Sequence, residues 1–163
     1  MRSLVPTNFV VPETLETEDF RLRMLTINDV VKDYDAVMSS VEHLQGVFGP
    51  HSSWPSRDLT LEQDLIDLGW HQKEFQNRSS FAYTVMIPDE SRCLGCLYIY
   101  PAAAAAYDAQ VILWARQSEL ASGLEERLIG TVKAWLAQDW PFQNIAFPGK
   151  EISWTEWISL AGS

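Results

Sequence analysis

Apolar and polar positions change period several times along the chain, and each change marks an element. In DFRLRML, residues 19 to 25, Phe20, Leu22 and Met24 alternate with Arg21 and Arg23, the two-residue period of a half-buried strand. Thr26 followed by Asp29 has the form of a capping box. Behind it Val30, Tyr34, Val37, Met38, Val41 and Leu44 recur at helical spacing, until Gly46, Gly49 and Pro50 break the chain. FGPHSSWPS then reads as a loop with His51 and Trp54 exposed. Thr60 and Gln63 repeat the capping pattern before a second helix, whose apolar stripe is Leu61, Leu65, Leu68 and Phe75.

Three denser apolar runs follow. FAYTVMI (81 to 87) and RCLGCLYIY (92 to 100), joined by the turn PDES, predict an antiparallel pair, and AQVILWA (109 to 115) predicts a third central strand. Pro101 and the AAAAA tract at 102 to 106 belong to the loop between them, with room for one helical turn. Leu124, Leu128, Val132, Trp135 and Leu136 make a helical face running to about Gln138. NIAF (144 to 147) predicts one more strand, and a short helix is expected from Ser153. Residues 1 to 17 read as an extended arm. This order predicts an α/β (α+β) fold in which a crossover helix joins neighbouring parallel strands.

Length and charge narrow the classes. A chain of 163 residues is read as one domain with a full core. Its 22 acidic against 12 basic residues give a net charge of −10, which supplies no basic stripe for a nucleic acid. No apolar run approaches the roughly 20 residues that span a bilayer. MRSLVPTNFVVPETLE lacks the apolar core of a secretory signal, so a cytoplasmic protein is expected.

Individual side chains have plain structural readings. Cys93 and Cys96 sit in a strand-like run where positions three apart face opposite sides, and buried reduced thiols are expected. Asp33, Asp35, Glu62, Asp64 and Asp67 occupy helical spacings typical of solvated faces, with no His or Cys nearby, so no metal site is expected. Tyr98 and Tyr100 share one strand face, which points to sheet packing. Trp135, Trp140, Trp154 and Trp157 load the C-terminal part with rings, and an exposed patch of them would favour a homodimer.

LETEDFRLRMLTINDV resembles the opening of the ribosomal-protein-alanine-acetyltransferase branch of the GNAT superfamily of acyl-CoA-dependent N-acetyltransferases. There a Leu-Glu-Thr-Glu run leads into Leu-Arg-Leu-Arg and then Leu-Thr-x-x-Asp. The similarity runs over roughly residues 14 to 147. It implies a GNAT-like mixed central sheet flanked by helices. The chain ends 16 residues after Phe147, so the fold is expected to be truncated of its usual last helix and two strands.

In the family the strand before the crossover helix reads Glu-Ile-Gly-Tyr-Trp-Val. Matching on Trp114 places Gln110, Val111, Ile112, Leu113, Trp114 and Ala115 in that register. The resemblance implies that the backbone of Val111, Ile112 and Leu113 pairs with the pantetheine amides of acetyl-CoA. The next turn, Arg/Gln-x-x-Gly-x-Gly/Ala in the family, falls on Leu120, Ala121, Ser122, Gly123, Leu124 and Glu125. Free amides and a helix N-terminus favour a pyrophosphate there, which makes Ala121, Ser122, Gly123 and Leu124 the cofactor-binding candidates. Only Gly123 matches. A shifted register on Ser118, Ala121 and Gly123 recovers two small residues without a basic one. Glu125 and Glu126 are also read as first-turn acids that stabilise their own helix. Arg116 and Arg127 would offset them if they pointed toward the phosphates.

Where many relatives carry a general-base Glu, this chain has Gln110, the weak candidate for a catalytic position. No Tyr follows Tyr107. Direct attack by a positioned amine on the thioester remains open through proximity and backbone polarisation. His51 and Trp54 lie in a loop that helps form the family's acceptor site, and Trp54-Pro55 also reads as a packed corner. Two functions follow. One is an acetyl-CoA-dependent N-acyltransferase acting on a small or peptide amine; the other is a GNAT-fold binding or assembly protein without catalysis.

Overall fold

The alternation at 19 to 25 forms β2 (Arg21–Met24), which pairs antiparallel with β1 (Thr14–Glu16) on one side and β3 (Phe81–Met86) on the other. In the computed structural model, which describes residues 3–162, β4 (Cys93–Pro101), β5 (Ala109–Ala115) and β6 (Ile145–Ala146) complete a sheet of order β1-β2-β3-β4-β5-β6. All neighbours are antiparallel except β5 and β6. The arm read over residues 1 to 17 therefore ends in an edge strand, and its first two residues lie outside the described chain.

Helices cover both faces of the sheet. The Thr26–Asp29 capping box closes on a 3-10 turn (Ile27–Asp29) that runs into α1 (Val30–Met38). The stripe predicted as one helix is split: α2 (Val41–Leu44) follows a break at Ser39 and Ser40. Serine hydroxyls compete for backbone partners, and these two serve the exit of β5. Ser40 Oγ accepts from the Gln117 N–H at 2.9 Å, and Ser39 Oγ accepts from Arg116 Nη2 at 2.9 Å.

α3 (Leu61–Gln76) opens with the predicted box, Thr60 Oγ1 accepting from the Gln63 N–H and Gln63 Oε1 from the Thr60 N–H. Its buried stripe is rotated from the predicted one. Leu68 and Phe75 are buried, Leu61 and Leu65 are exposed, and Asp64 takes the inward place four residues before Leu68. α4 (Leu124–Asp139) buries the five residues its period predicts, Leu124, Leu128, Val132, Trp135 and Leu136. α5 (Trp154–Ala161) starts at Ser153, whose Oγ accepts from the Glu156 N–H.

The sheet separates two cores. Leu97, Ile99, Val111 and Leu113 pack with α4 on one face. Cys96, Tyr98, Ile112 and Trp114 pack with α1, α2 and α3 on the other. Cys93 and Cys96 are both buried and both on this second face, not on opposite sides as the alternation implied. A bulge is the reason: Val85 pairs with Gly95 and Met86 with Cys93, so one extra residue resets the alternation. Gly95 also admits β5, since a Cβ there would lie 2.0 Å from the Trp114 carbonyl oxygen. Among the described residues, no helix is long and apolar enough to cross a membrane.

Candidate functional site

β5 and β6 are joined at two registers only, Ala109 with Ile145 and Gln110 with Ala146. Beyond that vertex β5 continues to Ala115, while the chain after β6 turns away and closes on itself through Pro148 and Ile152. Among the described residues, no strand pairs with Val111–Ala115 on that side. The open angle is a cleft of about 220 Å³, with Ile112, Leu113 and Trp114 on one wall and Pro148, Gly149 and Lys150 on the other. Unpaired strand backbone facing a cavity supplies amide donors and carbonyl acceptors to an extended ligand. His43 and Glu125 add to the lining.

The turn after β5 stands next to this cleft. Gln117–Ser122 form a 3-10 turn, and Gly123 adopts the left-handed conformation (φ 75°, ψ 19°) that glycine takes without steric cost. Among the described residues, no side chain caps the first turn of α4, so its free N–H groups keep their donor capacity. Ala121 and Ser122 are exposed and Gly123 is half-buried, whereas Leu124 turns into the core. The segment thus presents backbone, and its charged neighbour Arg127 is already engaged. Arg127 donates through Nη1 to the Ser122 carbonyl at 2.5 Å and through Nε to Asp19 at 3.2 Å.

Arg116 does not meet the condition for offsetting the helix acids. It is 5 % exposed and turns to the opposite core, donating to the Cys93 carbonyl, Asp35 and Ser39. A cation that does reach the first turn is Lys150, whose Nζ lies 3.3 Å from Glu125 Oε1. His43 Nε2 lies 3.9 Å from the same oxygen. Sequence reasoning missed Lys150, because it lies 25 positions beyond Glu125 in a segment with no periodic signal.

Gln110 sits at the vertex of the angle, opposite Tyr100 and Ala146. Its Oε1 accepts from the Ala103 N–H at 2.8 Å, so the side chain is committed to the loop of small residues. His51 is exposed and takes no part in the lining of the cleft, while Trp54 is half-buried. Trp54 packs against Phe48 at 5.2 Å and Trp114 at 6.2 Å between ring centroids. The structure therefore separates the two acceptor-loop candidates.

A second cavity of about 220 Å³ lies on the α1–α3 face, and Trp54 helps to line it. Asp33, Asp64, Asp67, His71 and Tyr98 contribute further wall. Asp33 and Asp64, expected on solvated faces, are 4 % and 2 % exposed, and His71 stands near them after all. Burial drives the Asp33 carboxyl well above the usual carboxylate range, and its hydrogen bond to Asp64 adds to this. Burial also raises Asp64, against the hydrogen bond from Asp33, so of the two carboxyls Asp33 is the one on which a proton is favoured. Burial lowers the His71 imidazole, raises Asp67 and raises the Tyr98 phenol.

The signal for this pair was present in the sequence. Asp33 lies between Val30 and Val37 at helical spacing, and Asp64 lies four residues before Leu68. Each is a carboxylate written into an apolar stripe. Among the described residues, no group of three or more His, Cys, Asp or Glu is placed to hold a metal ion.

No protein-family model matches the chain, and no curated protein matches it in sequence. Solved structures do match. The ribosomal-protein-S5-alanine acetyltransferase from Vibrio fischeri aligns with a TM-score of 0.64 at 16 % identity, over 91 % of this chain and 81 % of that one. The ribosomal L7/L12 alpha-N-protein acetyltransferase RimL, in complex with coenzyme A, aligns with a TM-score of 0.59 at 16 % identity, over 76 % and 67 %. The microcin C7 self-immunity acetyltransferase MccE, in complex with acetyl-CoA and AMP, aligns with a TM-score of 0.58 at 9 % identity, over 77 % and 67 %. The chain has the fold of the GNAT acetyltransferases.

Proposed function

We propose that the protein is an acetyl-CoA-dependent N-acyltransferase acting on a small or peptide amine. The observation that carries this reading is the open angle between β5 and β6, where the backbone of Ile112–Trp114 faces Pro148–Lys150 across the cleft. Coenzyme A and acetyl-CoA are bound by two of the proteins that share the fold, which supports the same class of co-substrate here. In this reading Val111, Ile112 and Leu113 hold the pantetheine arm through their backbone, and the amides from Ala121 to Leu124 hold the pyrophosphate at the start of α4. Lys150 supplies a cation near that turn.

The chemistry asks little of side chains. The amine nitrogen attacks the thioester carbonyl carbon, the carbon–sulfur bond breaks, and the departing thiolate is balanced by the proton the amine loses. Holding the two reactants together provides most of the acceleration, and a β5 N–H aimed at the carbonyl oxygen stabilises the charge that develops on it. Gln110 has no proton-accepting role in this scheme, since its amide is neutral and already bonded to the Ala103 N–H.

Calorimetry with acetyl-CoA and with CoA tests the reading. Saturable binding is expected for both, and Gly123→Trp should abolish it while circular dichroism stays unchanged. No heat and no thermal shift at millimolar ligand would leave the chain a GNAT-fold protein without acyl transfer.

A further inference from the structure

Trp154, the first residue of α5, is half-buried and lines the cleft between β5 and β6. Its ring bridges two loops. A Cβ at Gly49 would lie 3.4 Å from Trp154 Cε3 and Cζ3, and a Cβ at Gly149 would lie 2.6 Å from its Nε1. Gly149 belongs to the segment after β6 and Gly49 to the loop after α2, so the indole spans the cleft from one lip to the other. At Gly149 any side chain would collide with the ring, and the left-handed φ of 81° also favours glycine. The absence of a side chain there is what admits the indole.

The ring also marks one end of the cleft. Trp154 packs against the small cluster that holds Ala146, and Ala146 pairs with Gln110 at the vertex of the open angle. It packs as well against the core that holds Ile112 and Trp114. Away from the vertex the cleft reaches Glu125, in the first turn of α4. An acyl-CoA with its pyrophosphate at α4 and its pantetheine along Val111–Leu113 turns its thioester toward the vertex, and the acyl group then meets Trp154. The wall is fixed, not a loose tail. Ser153 Oγ caps α5, and Trp157, 2 % exposed, anchors the helix against Tyr107 with ring centroids 5.2 Å apart.

We infer that Trp154 selects a short acyl group, acetyl or propionyl, by closing the vertex end of the cleft. The inference rests on the acyltransferase reading above and deepens it, since it assigns the acyl class and the side chain that sets it. Extra methylenes would have to displace a ring held between two loops, which is overpacking. Replacing the indole by a methyl leaves an apolar void that opens on the cleft, and a longer chain gains by filling it.

The test is calorimetry of the full chain with CoA, acetyl-CoA and hexanoyl-CoA. Hexanoyl-CoA is expected to bind the wild type about tenfold more weakly than acetyl-CoA, or weaker still. Trp154→Ala should bring the two affinities together or reverse their order. Trp154→Phe, which keeps a smaller ring at the same place, should give an intermediate ratio and carries the test if the alanine variant does not fold. A purely structural Trp154 would weaken all three ligands alike and leave their ratio unchanged. That result would overturn the inference, as would equal binding of acetyl-CoA and hexanoyl-CoA by the wild type. Acetyl-CoA binding without discrimination by length removes the role of Trp154 and leaves the acyltransferase. Failure of all three ligands to bind removes the acyltransferase, and the role of Trp154 with it.

Discussion

Lys150 Nζ stands 3.3 Å from Glu125 Oε1, tying the segment after β6 to the first turn of α4 across the lining of the open cleft. The pair makes Glu125 a competitor for the cation that a pyrophosphate would use. Two like charges at about 4 Å interact by about 1 kcal/mol in water. Glu125→Gln should tighten CoA about fivefold and Lys150→Ala should weaken it by a similar factor, both effects shrinking at high salt. Calorimetry at two ionic strengths measures this; unchanged affinity in both variants would put the pyrophosphate elsewhere.

Two glycines separate steric from conformational cost. At Gly95 a Cβ would lie 2.0 Å from the Trp114 carbonyl oxygen, backbone that moves only if β4 and β5 part. At Gly123 the nearest atom is Arg127 Nη1 at 3.5 Å, and the penalty is the left-handed φ of 75°. Gly123→Ala is expected to cost about 1–2 kcal/mol, and Gly95→Ala more than about 4 kcal/mol, in the range reserved for core disruption. Urea denaturation of both variants checks the order.

The acid pair predicts a pH-dependent stability of definite sign. In the unfolded chain Asp33 ionises near its ordinary value of about 3.9. In the folded chain burial and the Asp64 hydrogen bond raise it well above that. Stability from this group is thus complete below about pH 4 and is lost as pH rises through the folded value. Each pH unit over which only the unfolded chain ionises costs about 1.4 kcal/mol, or roughly 3–5 °C in a chain of this size. The Asp33→Asn substitution removes the ionisable group and leaves an amide that can still donate to Asp64. This variant should melt with the wild type near pH 4 and several degrees above it at pH 7. The same gap at both pH values would contradict the raised Asp33 carboxyl.

What the sequence made legible follows what each pattern physically determines. Both capping boxes and the stripe from Leu124 to Leu136 are local, so a one-dimensional reading finds them. The VILW strand before a crossover helix predicted the parallel pairing of β5 with β6, because a parallel neighbour and a long helix leave few arrangements. The bulge at Gly95 was hidden, since LGCLYIY is apolar on both faces and a reset of its alternation changes no visible pattern. The inward turn of Arg116 was hidden too, because its partners Cys93, Ser39 and Asp35 are 23, 77 and 81 positions away. Asp33 and Asp64 read as solvated by the general habit of charges on helices. Only the rotation of α3, which buries Asp64 and exposes Leu61 and Leu65, brings them together.

The central claim is that acyl-CoA enters the angle between β5 and β6. Amide chemical shifts of ¹⁵N-labelled protein during a CoA titration test it most directly. The largest changes are predicted at Val111–Ala115, at Ser122–Glu126 and at Gly149 and Lys150, with the amides of β1 and β2 unmoved. Changes confined to other surfaces, or none at millimolar CoA, would contradict it.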